Sequence, residues 1–423
     1  MGTNLVQHRP IGAIRATVYS ALYSCETPAN LLIAVIIFSV ASLFSVEVLE
    51  LPIFKLLALI CLMLAAVATA QRNSASFYVY AAGVITALVL VLSGAAHNWA
   101  HLKDLELWLI KPLVFISIMV MVMPLLVTFD YSNPKFQRWL TLMIVLLMAT
   151  LFVQAALLVA TKEVFDFQAA LGLSQTRSHN RLYSFDSYID VHRLSGIAIE
   201  PAIYCMTMFC MLMLCNSRVA WAVRILAEVS IGICLAASGW IMLGVLFYRN
   251  YLLMTLGDWL KSTAICLLIL IPSLLMIYPP DASKFTLFRI VCPQIDPSAN
   301  ARLLAYIPEN ISGISFQICE GNVQNRRIPS EEEIRQEAMT SHQRGSNLTF
   351  ISSAFGIPGT IVHLACIFSL VLLSRRFLSL PIFVFSFLLS ALTEPIFWLG
   401  FLGCALLIRE VASKQIKPSG AMR

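Results

Sequence analysis

Charge is what this 423-residue chain has least of. Asp, Glu, Lys and Arg make up 12% of it, about half of the ~25% usual in soluble domains. So small a stock cannot cover a water-facing surface, which excludes an ordinary soluble protein. The polar segments contain no Asp-x-Asp pair, no Walker-type loop and no Rossmann-type glycines, so nothing points to a nucleotide or a nucleotide sugar. Neither a Cys-x-x-Cys pair nor a Cys/His cluster at metal-binding spacing occurs, and no metal or other cofactor is expected. No internal repeat of the kind found in inverted-repeat transporters is visible. The first 29 residues lack an apolar core of their own, which argues against a cleavable signal peptide.

Apolar residues fill the gap, at 59% of the chain with a mean hydropathy of +0.81. Runs at 30–46, 52–70, 77–94, 109–128 and 139–161 each approach the ~20 residues that cross a bilayer. Further runs at 194–215, 220–236, 239–254, 262–278, 348–374, 380–393 and 395–410 bring the expectation to about 12 spans. The formal charge of +6 lies in short joints between spans, so it reads as a topology signal rather than as a nucleic-acid footprint. Arg72, then Lys135 with Arg138, mark one side; Glu47, Glu50 and the balanced Lys103, Asp104, Glu106 and Lys111 mark the other. The pattern predicts an all-α polytopic membrane protein with both termini cytoplasmic. It divides into a leader (1–29), spans over 30–161, an outer loop (162–193), spans over 194–278, a large outer loop domain (279–347), spans over 348–410 and a tail (411–423). Arg249, Asp258 and Lys261 fall in a cytoplasmic joint. Of the eleven cysteines most lie in apolar runs and read as small buried residues. Cys292 and Cys319 share the large loop and are candidates for a disulfide in an oxidising compartment.

Chemistry concentrates in two places. The first is His192-Arg193-Leu-Ser-Gly196-Ile-Ala-Ile-Glu200-Pro201, at the mouth of the 194–215 run. Read as helix, Arg193, Gly196 and Glu200 fall at i, i+3 and i+7 and share one face. Pro201 would then free the carbonyl of Ile197 and kink the helix. The second is Thr340 to Asn347, with His342 and Arg344, leading into Gly356, Pro358 and Gly359.

The spacing Arg-x-x-Gly-x-x-x-Glu-Pro, closing a polar loop and opening an apolar run, resembles the signature of O-antigen polymerases (Wzy type) and related exopolysaccharide repeat-unit polymerases. Two large loops on one face, the second before the third-last span, are similar to that family's layout. The resemblance implies a GT-C-like fold in the bacterial inner membrane. It also implies a glycosyltransferase activity, in which oligosaccharide repeat units linked to polyprenyl diphosphate are joined at the periplasmic face. A chain-length co-polymerase and a flippase are the implied partners, beside membrane lipid and with no nucleic acid.

Departure of a sugar from diphosphate leaves negative charge on phosphate oxygens, and the guanidinium fork matches it. Arg193 and Arg344 are the candidates for that role, with Arg177, Arg181, His192 and Asn347 as substrate-binding candidates. The acceptor hydroxyl needs a base, for which Glu200 and His342 are both open. Glu200 could instead simply pair with Arg193 and fix helix packing. Glu228 and Glu394 are further acids in apolar surroundings, read as structural partners of groups such as Arg224. An O-antigen ligase, using the same donor on a lipid A core sugar, is the alternative within this chemistry. A secondary transporter or lipid-linked glycan flippase, with Glu200, Glu228 and Glu394 as relays, is the alternative from another class.

Overall fold

The computed structural model describes residues 27–44, 53–70, 133–173, 179–183, 188–215 and 221–283, with isolated helical positions beyond them. Within them the chain is mostly helical. Helices α1 (Thr27–Ala41, continued by a 3-10 turn at Ser42–Phe44) and α2 (Ile53–Ala70) pack on one another. Helix α3 runs from Pro134 to Thr161, the short α4 from Phe167 to Ala170, α5 from Pro201 to Leu214, α6 from Trp221 to Ile233, α7 from Ala237 to Leu253 and α8 from Leu256 to Ile277. Among the described residues the all-helical expectation has one exception, an antiparallel hairpin of β1 (His179–Tyr183) and β2 (Tyr188–His192) between α4 and α5.

The ends follow from local chemistry. Asn133 accepts hydrogen bonds from the N–H groups of Lys135 and Phe136, and Pro134 occupies the first helical position, where no N–H is needed. Lys162, in the left-handed conformation, stops α3. Asp166 caps α4 through the N–H groups of Gln168 and Ala169. With 28 and 22 residues, α3 and α8 are long and apolar enough to cross a bilayer; α1, α2 and α5 are apolar but shorter.

Five helices alternate in direction. Gln137, in the first turn of α3, donates to the Leu214 carbonyl at the last residue of α5, 3.0 Å away. Trp240, opening α7, donates to the Gly232 carbonyl near the end of α6. Trp259, opening α8, donates to the Phe247 carbonyl of α7. The Tyr278 hydroxyl, just past α8, donates to the Ile233 carbonyl at 2.8 Å. The starts of α5 and α7 therefore share one end of the bundle with the finishes of α3, α6 and α8. A Cβ at Gly239 would lie 2.7 Å from Cys205 Sγ, so α7 meets α5 where only glycine leaves room.

Two of the sequence readings are corrected in α6 and α7. The break between the two shorter spans falls at 234–236, where Leu235 has φ of 55°, and Ser238-Gly239 lies inside α7. Arg249 is not in a cytoplasmic joint: it is buried in α7, where its guanidinium donates to the carbonyl of Cys215 at the end of α5. That carbonyl has no helical partner, which gives a buried arginine its reason to be there.

Candidate functional site

Residues 194–200 are not helix. Helix α5 begins at Pro201 with Glu200 as its N-cap residue, in extended conformation, so the one-face arrangement of Arg193, Gly196 and Glu200 is overturned. Proline at the first helical position breaks no hydrogen bond, and the expected kink is replaced by a helix start. What precedes it is a buried turn in which side chains from elsewhere in the chain bind four backbone groups, the N–H groups of Leu194, Ser195 and Gly196 and the carbonyl of Ile197.

Gln154 of α3, fully buried, supplies the main hold. Its Oε1 accepts from the N–H of Ser195 at 2.9 Å and of Gly196 at 2.8 Å, while its Nε2 donates to the Phe165 carbonyl. Gln168 of α4, also fully buried, donates both amide hydrogens, one to the Leu43 carbonyl and one to the Ile197 carbonyl. The Tyr278 hydroxyl accepts from the Leu194 N–H. Within the turn, the Ala198 N–H reaches the Ser195 carbonyl. The Ile197 carbonyl lies outside the helix, so Pro201 takes no donor from it, and Gln168 is its partner.

Gly196 sits at φ of 58°, and a Cβ there would lie 3.0 Å from Thr150 Oγ1 and 3.4 Å from the Leu151 backbone nitrogen. Gly196→Ala is therefore expected to strain the turn twice, by conformation, at about 1–2 kcal/mol, and by contact with α3. Thermal unfolding of the purified protein in detergent should register the loss, and the same substitution at Gly172, which has open space around it, should show the conformational part alone.

Arg193 and Glu200 bracket this turn. Arg193 is half-buried, and its charge acts on the Cys234 thiol and the Tyr278 hydroxyl, which places the guanidinium towards the end of α6. Glu200 is half-buried, and its carboxylate does not hydrogen-bond to the helix it caps, although it lies at the positive end of the α5 dipole. Val191 and Leu194, both buried, anchor the hairpin beside the turn, and His192 is exposed. In the hairpin register His192 stands opposite His179, and Arg181 opposite Asp190. Arg193 and Glu200 thus stand at the two ends of this turn, at the end of the bundle where α5 begins, with His192 and Arg181 on the attached hairpin. Arg177, Cys292, Cys319, His342, Arg344, Asn347 and Glu394 lie outside the described residues.

No protein-family model, curated protein or solved structure matches this chain.

Gln154, Gln168 and Tyr278 were not singled out from the sequence. The signal was there for Gln154, the one amide in the apolar run 139–161. An amide placed so is costly unless hydrogen-bonded, and so marks a partner that must exist.

Proposed function

We propose that the chain is an integral membrane glycosyltransferase of about 12 spans that polymerises polyprenyl-diphosphate-linked oligosaccharide repeat units at the outer face of a bacterial inner membrane. The observation that carries this reading is the non-helical turn between Arg193 and Glu200. Irregular backbone within an apolar segment is tolerated only where protein buries it or a cavity needs it, and here a cation and a carboxylate stand at its two ends. In the proposed reaction the acceptor hydroxyl attacks the anomeric carbon of the donor sugar, the bond to the diphosphate oxygen breaks, and polyprenyl diphosphate leaves. Arg193, with Arg344, neutralises the charge gathering on the leaving oxygens. Glu200 or His342 takes the hydroxyl proton. Arg177, Arg181, His192 and Asn347 hold glycan or diphosphate, and chain length is set with a co-polymerase.

Deleting the gene and restoring it on a plasmid tests the reading. Surface glycan separated by electrophoresis should fall from a ladder to a single repeat unit and recover on complementation. Unchanged polymer length overturns it. A second reading, transport, is favoured by one observation: Arg224, Glu228, Arg249 and Asn250 are all buried at the opposite end of the bundle. Accumulation of unexported lipid-linked repeat units in the deletion strain would put transport first.

A further inference from the structure

That opposite end holds a carboxyl group in an unusual position. Glu228 of α6 is 1% exposed and Asn250 of α7 is 2% exposed. Asn250 Nδ2 donates to Glu228 Oε1 at 2.6 Å, which ties the two helices together. The other oxygen of each group, Glu228 Oε2 and Asn250 Oδ1, is buried without a hydrogen bond. Both are acceptors, so neither can satisfy the other while the acid is ionised.

We propose that the Glu228–Asn250 pair is a proton-binding site, occupied at neutral pH. A proton on Oε2 turns that acceptor into a donor, and Asn250 Oδ1 is the acceptor it meets in the two-point pairing of a carboxylic acid with an amide. One proton therefore removes two buried deficits. The charged and titratable groups acting on this carboxyl or on its surroundings are Arg224 on its own helix, Arg249 on α7 and Cys266 on α8, with the buried hydroxyl of Ser262 one turn before Cys266. The two arginines favour an ionised carboxylate. A carboxylate held ionised by arginine, however, accepts the guanidinium N–H bonds, and Oε2 accepts none. Burying a carboxylate oxygen that no donor reaches is costly enough that neutralisation is its usual outcome.

The test is infrared difference spectroscopy on the full chain in lipid vesicles at neutral pH, reading the carbonyl stretch of a protonated carboxylic acid. Wild type minus Glu228→Gln should show that band, and exchange into heavy water should shift it. Asn250→Leu keeps the acid but removes the donor to its carbonyl, so the band should persist and move to higher frequency. A wild-type spectrum whose acid region is the same in both variants overturns the site. Should Glu228→Gln fail to fold, the response to Asn250→Leu decides alone: a shifted band supports the site and an unshifted one overturns it. This inference stands on neither functional reading.

Discussion

Arg193→Ala is expected to collapse surface glycan from a polymer ladder to a single repeat unit, with the protein still present in the membrane. The guanidinium is half-buried beside the turn, where a charge acts through a weaker dielectric than in water. Removing one preorganised donor from a developing oxyanion typically costs about 100- to 1,000-fold in rate. Arg193→Lys keeps the charge but loses the fork, and should recover only part of the activity. The measurement is a glycan gel from a deletion strain carrying each variant, with membrane levels checked by immunoblot. A full ladder from Arg193→Ala at normal protein level would remove Arg193 from the site. Glu200→Gln in the same strain separates the two candidate bases: loss of the ladder favours Glu200, and retention leaves the role to His342.

Gln154→Leu is the second large effect, and it tests the architecture rather than the reacting groups. It removes the acceptor of two buried N–H groups and the donor to the Phe165 carbonyl. Each buried backbone group left unpaired costs about 1–3 kcal/mol, so the two N–H groups alone imply about 2–6 kcal/mol. Part of that is expected as local opening of the turn, since a segment held by few bonds opens before the bundle does. Amide hydrogen exchange followed by mass spectrometry should show faster exchange at 194–198 while α3 stays protected. Polymer should fall although Arg193 and Glu200 are untouched. Gln154→Glu retains the acceptor and should restore protection at Ser195 and Gly196. Unchanged exchange in Gln154→Leu would mean that this amide does not hold the turn.

Much of the helical layout was legible in the chain itself. Apolar runs at 139–161, 220–236, 239–254 and 262–278 reappear as α3, α6, α7 and α8 with shifted ends, because helix length and apolarity are properties of a contiguous stretch. The start of α3 was missed by five residues, although Asn133-Pro134 is a start signal with a plain mechanism. The hairpin was missed because its strands are polar and short, with no apolar alternation long enough to stand out. Arg249 was misplaced because a basic residue near a span's end normally reads as an anchor, and nothing local announces that a carbonyl of another helix awaits it.

For the candidate site the division runs along sequence distance. The sequence alone determined the membrane-type composition, the order of apolar and polar segments, and the presence of Arg193, Gly196, Glu200 and Pro201 at a junction between them. Only the tertiary structure decided that the junction is a pinned turn. Local periodicity favoured a helix through 193–200. The partners that won its backbone groups come from Gln154, Gln168 and Tyr278, which are 41, 29 and 84 residues from the groups they bind. A buried backbone group takes whichever partner geometry brings, and that geometry exists only once α3, α4 and α8 have packed around the start of α5.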